Sequence, residues 1–400
     1  MFDFLDGARL WENLGLYSME SIQQLARRMY LNAGLVYPDS SRFWEKVVKC
    51  RVPALAGVQE PFCQENQHLD LDIVAAFGSP TPGAEHYLLH LAPGWNSNRN
   101  RRPVLLVPGA GLDATSFTDL FAMGYTGLQQ QLVALGYRVF AVTFSHLHGD
   151  NFLQAIQLAD AIGRVGEMTG CEQVDVIAHS KGGMAARIYL SDFCSTPYRG
   201  DVHHYVMLGT PNLGLDLSFR NPLLNYLIYA SGSSGAMAWD RVLTFGFMVN
   251  VSERSIYREG CFPGQSQMLY RWDEIHPLDQ LQQDWYTTYY GGEGMISHSR
   301  GIERALANGG YLVEKLNRRG LDAGVRFSVL AGNKHFFTAI PGDQTGPGDG
   351  LVFVDSVLAT EALAKNGAVL VEKAVFPVNH MELLYSRRVA RWVDRQLGSD

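Results

Sequence analysis

The sequence predicts an α/β fold in which helices cover both faces of a mainly parallel central sheet. Apolar runs with strand-like composition alternate with segments of helical spacing, as expected for repeated strand–helix units. The runs are also largely apolar on both faces, which is typical of buried parallel strands. They are PVLLV (103–107), YRVFAVTF (137–144) and VDVIA (174–178).

The first part of the chain precedes these runs. Residues 18–30 carry apolar side chains at Ile22, Leu25 and Met29, a helical spacing, and residues 1–65 are predicted to form an N-terminal helical extension. Residues 69–77 and 86–91 are rich in strand-forming residues, and the turn-forming GSPTPG separates them. We therefore expect these two segments to form an antiparallel pair of strands.

The alternation continues to the end of the chain. The patterns predict helices at 128–135, 152–168 and 383–397, and strands at 325–331 and 368–376. These elements complete a sheet with flanking helices.

Composition limits the classes of partner and compartment. The chain has 400 residues, 46% of them apolar, and a formal net charge of -7, with no basic run longer than Arg101-Arg102. Nucleic acid is therefore not expected as a partner. Five irregularly spaced cysteines fit reduced thiols, and the first residues lack a secretory pattern, so we expect a cytoplasmic protein. Residues 223–249 are apolar but interrupted by Asp240 and Arg241, which argues against a membrane span.

The sequence VDVIAHSKGGMAARIYL (174–190) contains the strongest candidate site. An apolar strand, two glycines and a segment of helical spacing predict a strand, a sharp turn and a helix, with Ser180 at the turn. Ala178 and Gly182 are the small residues that such a turn needs on either side of its serine. A pattern this short is common by chance, so the rest of the chain must support it.

Five segments in order resemble serine esterases and lipases of the α/β-hydrolase superfamily, from about residue 69 to the C-terminus. The resemblance implies the α/β-hydrolase fold, with an oxyanion loop, a nucleophile turn, an acid loop and a histidine loop. The segments are PVLLVPGAG (103–111), VIAHSKGGMAARIYL (176–190), VMLGTPNLG (206–214), GPGDGLVFVDS (346–356) and VNHMELL (378–384).

In this fold the catalytic residues follow the order serine, acid, histidine. We therefore assign Ser180 as nucleophile and His380, in the loop between the last strand and the closing helix, as general base. Asp349 is assigned as the acid because it alone stands in D-G-x-V. Asp343, Asp355 and Asp216 are alternative acids, and His146 and His148 precede Ser180 but are candidates for lining the pocket.

The oxyanion hole is expected to use the backbone N–H groups of Ala110 and Lys181. Lys181 stands where lipases more often carry methionine, leucine or glutamine. We expect its ammonium to point to solvent. The alternative hypothesis is that a partly desolvated Lys181 adds positive potential near the developing oxyanion.

The resemblance divides the chain into a core, residues 66–214 and 323–400, and an inserted cap or lid, residues 215–322. The insertion is rich in large apolar side chains, most of which are expected to form its own small core while the rest line an acyl pocket. The spacing of His, Asp and Cys matches no metal-site pattern, so no metal and no cofactor are expected.

The expected function is hydrolysis of carboxylic esters with a hydrophobic part through an acyl-Ser180 intermediate. A small-molecule ester or a lipid is the expected substrate, with transient contact to a lipid surface through the cap. Two alternatives stay open, an acyltransferase that uses the same triad and a non-catalytic binding protein of the same fold.

Overall fold

A computed structural model describes residues 43–119, 124–215, 240–244, 246–276, 283–334 and 346–398. The helix predicted at 18–30 lies outside these residues. The strands are β1 (Lys46–Arg51), β2 (His86–Leu91), β3 (Asn100–Val107), β4 (Tyr137–Phe144), β5 (Val174–His179), β6 (Val202–Leu208), β7 (Arg241–Thr244), β8 (Phe247–Asn250), β9 (Gly292–Glu293), β10 (Ser297–Ser299), β11 (Arg326–Gly332) and β12 (Val369–Phe376). The helices are α1 (Leu71–Phe77), α2 (Leu128–Ala134), α3 (Asn151–Thr169), α4 (Lys181–Leu190), α5 (Pro263–Ser266), α6 (Gln283–Tyr290), α7 (Gly301–Asn308), α8 (Leu312–Arg319), α9 (Val354–Val357), α10 (Glu361–Ala364) and α11 (Arg387–Leu397).

Eight strands form the main sheet in the order β1-β2-β4-β3-β5-β6-β11-β12. Strand β2 runs antiparallel to both of its neighbours, β1 and β4. All the remaining neighbouring pairs, from β4 to β12 in the sheet order, are parallel. The predicted mainly parallel sheet is therefore confirmed.

Successive residues of β3 point to two different hydrophobic layers. Leu105 and Val107 pack with residues of α3 and α4, whereas Val104 and Leu106 pack with residues of α2 and α11. Since side chains alternate across a strand, this division shows helices on both faces of the sheet, as predicted. It also explains why the strand sequences are apolar at consecutive positions.

The strand predicted at 69–77 is wrong, because these residues form helix α1. The Asp70 carboxylate accepts hydrogen bonds from the N–H groups of Asp72 (2.9 Å) and Ile73 (3.1 Å), and Gly78 ends the helix at a φ of 76°. Both ends are thus capped, and the buried side chains Ile73 and Phe77 lie on one helical face. These local bonds outweigh the strand propensity of a seven-residue run.

The partner of β2 comes from inside the predicted extension. Strand β1 pairs with β2 in an antiparallel register from Lys46 opposite Leu91 to Arg51 opposite His86. The main sheet therefore begins about twenty residues before the predicted core boundary at residue 66.

The insertion between β6 and β11 contains a second, antiparallel sheet in the order β8-β7-β10-β9. It has its own buried cluster, which includes Tyr257, Phe262 and Tyr289. Helix α8, by contrast, packs Leu312, Val313 and Leu316 into the layer against the main sheet, although it falls within the predicted cap 215–322. Among the described helices, none is long and apolar enough to cross a membrane.

We expect Asp70→Ala to lower the free energy of unfolding by about 1 kcal/mol, because it removes the side-chain acceptor that begins α1. Urea unfolding followed by circular dichroism measures the change. Asp70→Asn is the matched control and should retain most of the stability, since asparagine caps helices as well as aspartate does. Equal losses in the two variants would contradict the capping role.

Candidate active site

Ser180 lies at the carboxyl end of β5, between that strand and α4. Its φ of 52° and ψ of -126° are unusual for a residue with a side chain and occur where the surrounding structure enforces them. Its N–H donates to the carbonyl of Leu208 at the end of β6 (2.9 Å), which fixes the turn to the neighbouring strand. This strained turn between a strand and a helix is the geometry that the sequence predicted around Ser180.

Gly182, which the sequence pattern singled out, is needed because the start of α4 lies very close to the end of β3 and the loop after it. A Cβ atom on Gly182 would lie 2.4 Å from the carbonyl oxygen of Pro108, in the loop after β3. Any larger residue would push α4 away from that loop.

Asp349 and His380, predicted from separate segments, are brought together. The Nδ1–H of His380 donates to Oδ2 of Asp349 at 2.7 Å, and the His380 N–H donates to the Asp349 carbonyl at 3.0 Å. The other carboxylate oxygen accepts from the N–H groups of Leu351 (3.0 Å) and Val352 (2.8 Å). Asp349 is fully buried, and these donors compensate for the lost hydration of its charge.

His179 connects this pair to the turn at Ser180. Its Nε2–H donates to the carbonyl of His380 at 3.0 Å, and the two imidazole rings have centroids 4.6 Å apart. Burial lowers the pKa of His179 well below its usual value, and the nearby His380 lowers it further. A neutral His179 therefore holds the His380 segment beside Ser180, which is only 8% exposed.

Gly209, at the end of β6, is a site residue that the sequence analysis did not single out. Its φ is 61°, and a Cβ atom there would lie 3.2 Å from both Oδ2 of Asp349 and Cε1 of His380 and 2.8 Å from Cδ1 of Leu383. Gly209, the first glycine in GTPNLG, thus leaves room for the pair formed by Asp349 and His380. Its positive φ and this crowding both disfavour a side chain.

The loop after β3 lies against Ser180. A Cβ atom on Gly109 would be 2.9 Å from Cβ of Ser180 and 2.8 Å from Nδ1 of His179. Gly111 donates its N–H to the carbonyl of Leu147 (3.1 Å), in the loop after β4. Ala110 lies between Gly109 and Gly111. Both residues predicted for the oxyanion hole are therefore near Ser180: Lys181 follows it in the sequence, and Ala110 follows Gly109, which packs against it.

Of the alternative acids, Asp355 is exposed in the first turn of α9, and Asp216 and Asp343 lie outside the described residues. His146 and His148 are buried in the loop after β4. His146 Nε2 hydrogen-bonds the carbonyl of Pro61 (3.0 Å), and Nδ1 of His148 accepts from Gln265 (2.7 Å). These contacts join that loop to neighbouring segments.

The expectation that the Lys181 ammonium points to solvent is wrong. Lys181 is 1% exposed, and its Nζ donates to Oε1 of Gln154 on α3 at 2.5 Å. Burial lowers the pKa of Lys181, and the Glu60 and Asp150 carboxylates partly offset that effect. No motif marked Glu60 or Gln154, because only the folded chain brings them to Lys181.

No cluster of three or more His, Cys, Asp or Glu side chains suited to a metal ion occurs in the part of the chain that the structure describes.

The hypothesis that Lys181 supplies positive potential to an oxyanion stays a prediction.

Comparison with known proteins places the chain in a family. The model of the alpha/beta hydrolase family matches residues 104–344, which is more than half of the chain. Among solved structures, the chain is similar to the mature lipase BlEst2 of Bacillus licheniformis, with 14% identity over 75% of this chain and 93% of the lipase, and a TM-score of 0.42. It is also similar to Est1E of Butyrivibrio proteoclasticus, with 12% identity over 78% of this chain and 96% of Est1E, and a TM-score of 0.40. On the family match, the chain belongs to the alpha/beta hydrolase family.

Proposed function

We propose that this chain is a serine hydrolase that cleaves carboxylic esters with a hydrophobic part through an acyl-Ser180 intermediate. The observation that carries the proposal is the buried 2.7 Å hydrogen bond between His380 and Asp349, held by His179 beside the strained Ser180. A serine hydroxyl needs a neighbouring imidazole to accept its proton, and that imidazole needs a carboxylate to fix its tautomer. The three residues supply these groups in the order expected for the family.

In the first half of the proposed reaction, Ser180 Oγ attacks the acyl carbon while His380 Nε2 accepts the hydroxyl proton. Asp349 accepts from Nδ1–H and stabilises the imidazolium that forms. The N–H groups of Ala110 and Lys181 donate to the oxyanion. When the tetrahedral intermediate collapses, the C–O bond to the alcohol breaks, and the alcohol leaves with the proton from His380.

In the second half, a water molecule attacks the acyl-enzyme and gives a proton to His380. The bond between the acyl carbon and Ser180 Oγ then breaks, and the serine oxygen recovers its proton as the carboxylic acid leaves. Each proton passes through the same imidazole, so the enzyme returns to its starting state.

The preference for hydrophobic substrates is supported by exposed apolar side chains on the insertion. They lie on the hairpin β7–β8, with Phe247 75% and Met248 45% exposed. These residues support the proposed transient contact of the cap with a lipid surface.

A fluorophosphonate probe should label the wild-type protein, and Ser180→Ala should abolish both labelling and hydrolysis of p-nitrophenyl esters, because the attacking oxygen is removed. Gel fluorescence and absorbance measure the two losses. Ser328→Ala is the matched control, since Ser328 is buried like Ser180 and its hydroxyl is hydrogen-bonded to a histidine, His204 (2.9 Å). Labelling that persists in Ser180→Ala and disappears in Ser328→Ala would refute the assignment of Ser180.

Asp349→Asn should lower kcat roughly 10³- to 10⁴-fold, because an amide that donates to Nδ1 holds His380 in the tautomer that cannot accept the serine proton. Steady-state kinetics with a p-nitrophenyl ester measures the change. Asp355→Asn should retain wild-type kcat, since Asp355 is exposed on α9. The opposite ranking of the two variants would transfer the acid role to Asp355.

Gly209→Ala should lower kcat at least about tenfold, because its methyl group would press on Asp349 Oδ2 and the His380 ring. Gly78→Ala is the matched control. Gly78 also has a positive φ, of 76°, but a Cβ atom there meets nothing within 4 Å. Both variants should lose about 1 to 2 kcal/mol of folding stability from the left-handed backbone. An unchanged kcat in Gly209→Ala would show that the pair is not tightly confined.

A further inference from the structure

Lys181 follows the proposed nucleophile directly, yet its side chain is buried among groups that the proposed reaction does not use. Gln154, which accepts from the Lys181 ammonium, is 3% exposed. Gly264 of the insertion packs on the lysine stem so closely that a Cβ atom there would lie 2.3 Å from Lys181 Cε. The insertion thus closes the side chain off from water.

A half-buried acid, Glu60, lies near the lysine charge. Glu60 Oε1 accepts the N–H of Asp150 (2.7 Å), and a Cβ atom on Gly149 would lie 2.8 Å from Glu60 Oε2. Burial raises the pKa of Glu60 to about 7, although the N–H of Asp150 and the positive charge of Lys181 each oppose that rise. Lys181 and Glu60 thus carry opposite charges in the same region, and each partly offsets the effect of burial on the pKa of the other.

Gln154, which accepts from Lys181, also bonds the loop after β4. Its Nε2 donates to the carbonyl of His146 at 2.7 Å, and that carbonyl also accepts the N–H of Gly149 at 3.1 Å. The turn is tightened again where the N–H of His148 donates to Nδ1 of His146 (3.0 Å). The turn 146–149 is therefore fixed through the Gln154 amide.

The same turn holds the loop that carries Ala110. The carbonyl of Leu147, in the middle of the turn, accepts the N–H of Gly111 at 3.1 Å. Hydrogen bonds therefore link Lys181 Nζ to Gln154, Gln154 to the turn 146–149, and that turn to Gly111, the residue after Ala110. These bonds start and end at the two segments that are proposed to donate to the oxyanion.

We propose that Gln154 and Lys181 are positioning residues that hold the Ala110 N–H in place for the oxyanion, acting through the turn 146–149. This inference rests on the proposed function. Oxyanion donors stabilise the transition state only where they are fixed before the reaction, so a loose loop costs turnover more than substrate binding. The side chain at position 181 therefore affects how firmly the loop that carries Ala110 is held.

The test compares Gln154→Met with Gln129→Met in the full chain. Gln129 is also a buried glutamine whose Nε2 donates to a carbonyl, that of Phe43 (3.1 Å), but it lies on α2. We expect Gln154→Met to lower kcat roughly 10- to 100-fold, less than the roughly 10²- to 10³-fold loss when such a donor is removed outright. KM for a p-nitrophenyl ester should change less than about twofold, and Gln129→Met should change neither parameter.

A second measurement separates positioning from general destabilisation. Phenylboronic acid adds to a catalytic serine and places an oxygen in the oxyanion hole, so its affinity should fall in Gln154→Met by the same factor as kcat. Lys181→Met should show the same parallel loss, because Gln154 loses the donor that orients it, and it serves as the test if Gln154→Met does not fold.

Wild-type kcat and boronate affinity in either folded variant would overturn the positioning role, as would equal losses in Gln129→Met. Absence of ester hydrolysis by the wild-type protein would instead refute the proposed function itself. The two failures are therefore distinguished by the first assay.

Discussion

The hydrogen bond between His380 and Asp349 joins the loops that follow β11 and β12, and the geometry of the site depends on it. A carboxylate buried at 0% exposure is stable only where donors surround it, and Asp349 receives two from its own loop and one from the imidazole. The His380 N–H also donates to the Asp349 carbonyl, so the two loops are bonded by main chain as well as side chain.

Hydrogen bonds at the carboxyl ends of the strands support the pair formed by Asp349 and His380. At the carboxyl ends of adjacent strands, Ser180 donates its N–H to Leu208, Gly209 donates to Leu330, and Asn333 donates to Phe376. Each bond extends the sheet by one step beyond its strands, so the turns that carry the site begin from fixed positions. Ligand sites commonly occur at this edge of parallel sheets, because the loops that follow the strands meet there.

Features that depend on short stretches of sequence were predictable. The apolar strands, the turn at Ser180 and the segments of Asp349 and His380 each have a local signature, and the observed sheet agrees with the predicted class.

Helix α1 was missed because its seven residues have strand-like composition, whereas the caps Asp70 and Gly78 determine that a helix forms. The pairing of β1 with β2 and the burial of Lys181 were also missed. Both depend on contacts between distant segments, such as Lys181 with Gln154 on α3 and Gly264 in the insertion, which a single sequence does not specify.

The central claim is that Ser180, His380 and Asp349 act as one unit beside the N–H groups of Ala110 and Lys181. Its most direct test is a crystal structure of the protein after reaction with a p-nitrophenyl alkylphosphonate. We expect phosphorus bonded to Ser180 Oγ and a phosphonyl oxygen about 2.7 to 3.1 Å from both backbone nitrogens. We also expect His380 Nε2 within about 3.2 Å of the Ser180 oxygen, with the hydrogen bond to Asp349 intact. Phosphorus on another residue, or an imidazole of His380 turned away from that oxygen, would contradict the account.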